Sequence, residues 1–227
     1  MAATYGDNAD VLSTPNKTLD ETQWNTSSSP TYSPYSYSKV AAERAAWEMS
    51  RAAQGKWTLA VVNPGLVFGP GAMPGFGAAG SASGSLHMLE RLFLGGERMG
   101  ATDLGFPLVD VREVALAHAI IGEKSELEGR FIVSEDHTTS MLEIANLVRP
   151  VHTRPALLPT RNMPKVVVTT VGPLLQGIPR KWLQNNVGLP FKVDNSRSVK
   201  ELGIVYRPTA EMVKDHYESW VAQQDGN

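Results

Sequence analysis

The sequence predicts an α/β domain carrying a small, mainly helical appendage, and three observations predict it. Short β-branched runs closed by Gly or Pro, Leu59–Asn63 in "WTLAVVNPG" and Arg130–Ser134 in "GRFIVSE", have the pattern of strands covered on both faces. They alternate with stretches whose apolar residues recur every three to four positions, the period of a helix. Beyond residue 137 the chain becomes helical and Pro-punctuated.

Taken in order, residues 7–34 are rich in Ser, Thr, Asn and Pro and read as a long surface loop. From Tyr35 to about Gln54, Ala42, Ala45, Met49 and Ala52 fall at helical spacing, and Gly55 supplies a stop. Ser33 is the expected cap, with Pro34 at the first helical position, where its missing donor does no harm. After the Leu59–Asn63 strand comes a Gly/Ala/Ser loop, then a helix around Leu86–Leu94. "FPLVDVREVALAHAIIG" reads as a short strand fragment near Leu108 and a helix, with Asp110 and Glu113 forming its capping box. "TTSMLEIANLVRP" starts with a threonine cap and ends at Pro150, and the last helix puts Val213, Tyr217 and Trp220 on one face. No internal repeat is visible.

Composition narrows the function classes. The 227 residues are 42% hydrophobic and 19% charged, with a net charge of -2 and no basic block. Nucleic acid and an anionic membrane surface are therefore not expected partners. With no cysteine, disulfides and thiolate metal sites are excluded. The five histidines, His87, His118, His137, His152 and His216, never fall at metal-ligand spacing and read as surface or packing residues, so no metal is expected. The start lacks a signal peptide's basic and apolar regions, and Val166–Leu175, the longest apolar stretch, is too short to span a bilayer. A cytoplasmic protein is expected.

The segment "SPTYSPYSYSKVAAERAAWEMSRA" gathers Tyr32, Tyr35 and Tyr37 ahead of Lys39. On a helix only Tyr35 shares a face with Lys39, four residues on. A phenol titrates near ~10 and is a poor acid or base at neutral pH. A neighbouring ammonium favours the phenolate, which suits the pair to moving a proton at a carbonyl or alcohol oxygen. A Y-x-x-x-K spacing alone more often marks an exposed helix pair, so its surroundings decide.

Those surroundings are "ATYGD" upstream, Pro34, Tyr35, Ser38, Lys39, Ala42 and Glu43 in the pattern P-Y-x-x-S-K-x-x-A-E, and "LAVVNPGLVFGPG" downstream. With "FPLVDVREVALAH" and "FKVDNSRSVKELGIVYRPTAEMVKDHYESW", they make the chain resemble the extended short-chain dehydrogenase/reductase family, nearest its dihydroflavonol reductase and aldehyde/ketone reductase branch. The resemblance implies the carboxy-terminal part of a doubly wound, Rossmann-type parallel sheet with a small, mainly helical substrate-binding region. Residues 1–70 and 106–136 would belong to the NAD(P)-binding domain, and 71–105 and 137–227 to the substrate-binding region. It implies Tyr35 as proton donor and acceptor, and Lys39 as its tuner and a ligand of the nicotinamide ribose. Pro64, Gly65, Leu66 and Val67 would lie against the nicotinamide, with Ser83 and Ser85 as weaker cofactor contacts. The cofactor is NADP or NAD, NADP being favoured, and the partner a small carbonyl or alcohol. Asp20, Glu21 and Trp24 resemble a family D-E-x-x-W element, expected to pack a loop.

Gly75-Phe76-Gly77-Ala78-Ala79-Gly80 spells G-x-G-x-x-G, but neither the strand nor the helix of a dinucleotide turn flanks it. It reads as a substrate-side loop. The resemblance further implies a strand, a Gly-rich turn, a helix and a catalytic Ser or Thr before or at Met1. On that expectation Met1 is an internal methionine, the adenosine half of the cofactor site lies upstream, and the chain alone is poorly soluble and inactive. The expected activity is reduction of a carbonyl to an alcohol. An epimerase or dehydratase of the same superfamily is the enzymatic alternative, although "NPGLVFGP" resembles the reductases more. A non-catalytic interaction module is the alternative from another class.

Overall fold

The computed structural model describes residues 1–71 and 84–225. In chain order its elements are α1 (Asn8–Leu12), β1 (Thr18–Leu19), α2 (Pro34–Ala52), β2 (Ala60–Pro64) and β3 (Leu66–Phe68). There follow α3 (Gly84–Phe93), β4 (Gly105–Asp110), α4 (Val111–Glu123), β5 (Gly129–Val133), β6 (Thr138–Ser140) and α5 (Met141–Val148). The chain continues through α6 (Lys165–Gln176), α7 (Arg180–Asn186), β7 (Lys192–Val193), α8 (Ser196–Leu202) and α9 (Thr209–Asp225). The class is α/β, as the alternation of periods predicts, and the G-x-G-x-x-G run lies outside the described residues.

β2 and β5 run parallel in the register Ala60↔Gly129 to Pro64↔Val133. β3 runs parallel to β4, whose other edge holds β6 antiparallel. The chain changes sheets at Gly65: its N–H still bonds the Val133 carbonyl at 3.0 Å, while Leu66 already pairs with Leu108. A side chain at Gly65 would place its Cβ 2.5 Å from the Pro107 carbonyl oxygen, so only glycine lets the backbones approach this closely. At Gly69 φ is +109°, and its carbonyl accepts from His216 Nδ1 at 2.8 Å. That bond ties the end of β3 to α9.

Two of the hydrophobic clusters among the described residues pack helices on these sheets. α4 and α8 close over β2 and β5 through Val109, Ala117, Phe131, Val133, Leu202 and Ile204. Phe68, Leu89, Leu92, Phe93, Leu108, Ile144 and Tyr217 join β3 and β4 to α3, α5 and α9. His152 and His216 are buried in this second cluster, where burial lowers both imidazole pKa values, so they pack as neutral rings.

Several expectations are corrected. Residues 7–34 are not simply a surface loop: they carry α1, a 3-10 turn at Pro15–Lys17 and β1, with Val11 and Leu19 buried against Phe191 and Val193. The strand near Leu108 is a full six residues long. Asp110 caps α4 by accepting from Arg112 N, but Glu113 pairs with Arg207 instead of closing a capping box. α5 is capped not by a threonine but by Ser140, the last residue of β6, in a box with Glu143. Ser33 does precede α2, yet it sits at φ +54° and makes no capping bond. Among the described residues no helix is long and apolar enough to cross a membrane.

Candidate active site

A cleft of about 850 Å³ opens among the amino-terminal segment, α2, the β2–β3 junction, β4 and α7. Its walls bring together Tyr35, Lys39, Pro64, Gly65, Leu66 and Val67, six of the eight residues named from the sequence. Ser83 lies outside the described residues, and Ser85 falls in the first turn of α3. The cleft lies at the carboxyl end of parallel β2, where α/β sheets present their ligand sites.

Within α2, Tyr35 and Lys39 share a face as the four-residue spacing requires, and Lys39 Nζ lies 5.3 Å from the centroid of the Tyr35 ring. Tyr35 is 68% exposed, so its hydroxyl is open to a molecule entering the cleft. Ser38, the pattern's serine, is occupied locally: its hydroxyl donates to the Tyr35 carbonyl at 2.7 Å.

The other two tyrosines are elsewhere. Tyr37 is 41% exposed and does not line the cleft. Tyr32 donates to both carboxylate oxygens of buried Asp7, at 3.0 and 2.8 Å. Burial and that carboxylate both push the Tyr32 phenol pKa upward, which locks it as a neutral donor. Asp7 also accepts from Asn185 and Asn186, so this cluster fixes the amino-terminal segment to α7. Tyr32→Phe is expected to lower stability by roughly 1.5 kcal/mol, the scale of a hydrogen bond to a charged acceptor, read from urea unfolding. Dinucleotide affinity should not move.

Sequence reasoning missed much of the wall. Tyr5, Asn8, Phe106, Trp182 and Asn186 line the cleft, and so do Asn63 and Glu43. Trp182 and Asn186 stand one turn apart on α7, a face shared at helical spacing. The polar members are mostly satisfied. Asn8 Nδ2 donates to the carbonyls of Gly105, Asn186 and Leu189, while Asn186 Oδ1 accepts from Asn8 N. Glu43 is bound by Arg130 at 2.6 Å and by Trp47 Nε1 at 3.2 Å. Asn63 would have been found by one signal, a carboxamide standing in an otherwise apolar strand.

The D-E-x-x-W residues pack, as expected. Glu21 Oε1 accepts from Ile132 N, and the Trp24 ring stacks 4.2 Å under the Arg130 guanidinium. Asp20 caps its own turn by accepting from Thr22 N and Oγ1.

Residues 2–133 match the NAD dependent epimerase/dehydratase family, and the chain belongs to that family. Its relatives lie in the reductase branch. Cinnamoyl-CoA reductase 1 of Arabidopsis thaliana is 28% identical over 187 residues, covering 82% of this chain and 45% of that protein. Ketoreductase azaE of Aspergillus niger is 31% identical over 194 residues, 83% of this chain and 51% of the relative. The chain thus spans about half the length of the curated relatives it matches. Among solved structures, yeast methylglyoxal/isovaleraldehyde reductase Gre2 complexed with NADPH aligns with a TM-score of 0.67 at 24% identity, over 99% of this chain and 62% of that one. That likeness shows the fold.

Proposed function

We propose that this chain provides the proton-transfer residues and the nicotinamide end of an NAD(P)-dependent carbonyl reductase, with NADP favoured. In this reading the fold is the carboxy-terminal part of a doubly wound sheet with a mainly helical substrate side. The observation that carries it is the gathering of Tyr35, Lys39 and the Pro64–Val67 turn on one cleft. The relatives named as reductases, and the NADPH named with Gre2, support the same reading.

The residues fit such a cofactor. Among the described residues, the cleft has the Lys39 ammonium on one wall and a backbone turn without a side chain at Gly65. Lys39 would hold the ribose hydroxyls, and Pro64 to Val67 would flank the ring. When bound, the nicotinamide supplies the hydride that reduces the carbonyl carbon.

This chain's residues manage the oxygen. The Tyr35 hydroxyl donates its proton to the carbonyl oxygen as negative charge develops there, so that C=O becomes CH–OH. Lys39, beside the ring, stabilises the phenolate left behind. Water or buffer then returns the proton. Positioned transfer of this kind contributes on the order of 10² to 10⁴ in rate.

A fluorescence titration with NADPH tests the reading. Submillimolar binding by the full chain is expected, and Lys39→Ala should weaken it roughly tenfold, the loss of a charge-assisted hydrogen bond. Absence of any NADPH or NADH binding would instead favour a non-catalytic interaction module.

A further inference from the structure

α6 turns an apolar face to solvent. Val166 and Leu174 are 73% and 84% exposed, and Val167 and Val171 are exposed beside them. At four-residue spacing these side chains form one ridge, with Thr170 between Val166 and Leu174. The Thr170 hydroxyl adds little polarity, because it donates back to the Val166 carbonyl at 2.7 Å. The opposite face is anchored: Thr169 is buried, and a Cβ at Gly172 would meet Leu183 of α7 at 3.0 Å. Single exposed apolar residues are ordinary, but a contiguous ridge marks a surface that something covers.

Charge identifies the occupant. Residues 144–193 hold seven Lys and Arg and no Asp or Glu, although the whole chain has a net charge of -2. Arg161 and Lys165 stand at the amino end of α6 and Arg180 and Lys181 just past its carboxyl end, all exposed. None of the seven takes part in an ion pair among the described residues. We propose that α6 docks on an anionic lipid surface, lying in its plane with Val166, Val167, Val171 and Leu174 at the acyl boundary and the flanking cations at the headgroup phosphates. The chain-wide charge, which speaks against such a partner, averages this asymmetry away. A second copy of the chain fits less well, because an isologous contact through α6 would bring two like-charged surroundings together. The ridge is also purely aliphatic, without the aromatic anchors that dominate protein interfaces. α7, which carries Trp182 and Asn186 to the cleft, packs on the inner face of α6, so the lipid surface would stand one helix away from the cleft. Neither observation depends on what the cleft binds.

Sedimentation of the full chain with vesicles tests this, using phosphatidylcholine alone and an equimolar mixture with phosphatidylserine. Binding to the mixed vesicles, little to phosphatidylcholine, and weakening by added salt are expected. Arg161→Gln combined with Arg180→Gln should lower the affinity roughly twentyfold, on the order of fivefold for each cation. Leu174→Gln should lower it roughly tenfold by removing apolar area from the ridge. All three positions are exposed, so melting temperatures read by circular dichroism should match the wild type. Met49→Gln is the control: Met49 is 66% exposed on α2, outside the ridge, and vesicle binding should not change. Failure of the wild type to bind the mixed vesicles, or equal binding to both kinds, would overturn the proposal. So would a loss in Met49→Gln as large as that in Leu174→Gln, because any exposed apolar side chain would then serve. Self-association of the wild type without vesicles, abolished by Leu174→Gln, would assign the ridge to a second copy and overturn it too.

Discussion

In a protein that carries this chain together with the whole dinucleotide site, Tyr35→Phe is expected to lower carbonyl turnover by roughly 10²- to 10⁴-fold while leaving dinucleotide affinity nearly unchanged. Phenylalanine keeps the ring under the Lys39 ammonium, 5.3 Å away, so the cation–π contact and the start of α2 survive. Only the transferable proton is lost. Tyr37→Phe is the matched control, since that residue is half-exposed and away from the cleft. Tyr32 is a poor proton source, because burial and the Asp7 carboxylate that holds its hydroxyl raise its pKa. Turnover numbers and NADPH dissociation constants for the two Phe variants check the assignment. Wild-type turnover in both would move the proton transfer to another group.

Local pattern explains what was legible in the sequence. β2 and β5 announce themselves by runs of β-branched residues, and α2 by its spacing, because both signals lie within a few consecutive residues. The same is true of the Tyr35–Lys39 pair, whose meeting needs only one helical turn. β1, β6 and β7 span two or three residues each, too short for any period to show. Their pairing is fixed by partners far along the chain, as with Thr18↔Lys192 and Pro107↔Thr138. Glu113 reads as a capping residue from its neighbours, yet it is claimed by Arg207, 94 positions away. The far wall of the cleft was hidden for the same reason. Trp182 and Asn186 reach it only because the Asp7 cluster draws α7 against the amino-terminal segment. Charge and burial decide such long-range choices, and neither is written in local spacing.

Arg130→Ala is expected to cost about 3 to 5 kcal/mol of folding stability, the largest loss of any single substitution considered for this chain. Arg130 and Glu43 are both buried, at 7% exposure each, and bonded at 2.6 and 3.3 Å. The guanidinium also donates to the carbonyls of Glu21 and Gln23 and stacks on Trp24. Removing it would leave Glu43 buried with only the Trp47 N–H, at 3.2 Å, as a donor. The pair itself need not stabilise much, because desolvating two charges offsets most of their attraction. The double variant Arg130→Met with Glu43→Leu should therefore recover most of what Arg130→Ala loses. Urea unfolding of Arg130→Met, Glu43→Leu and the double closes the cycle. The consequence for function follows from position: Glu43 is one turn beyond Lys39 on α2, and Arg130 is on β5, the partner of β2. The ion pair therefore sets the helix carrying Tyr35 and Lys39 against the sheet carrying Pro64 and Gly65. If it does, the double variant should be stable yet bind NADPH more weakly than wild type, while Tyr32→Phe, which loosens a different edge, should not. Equal affinity in the double variant and wild type would reduce the pair to a stabilising role.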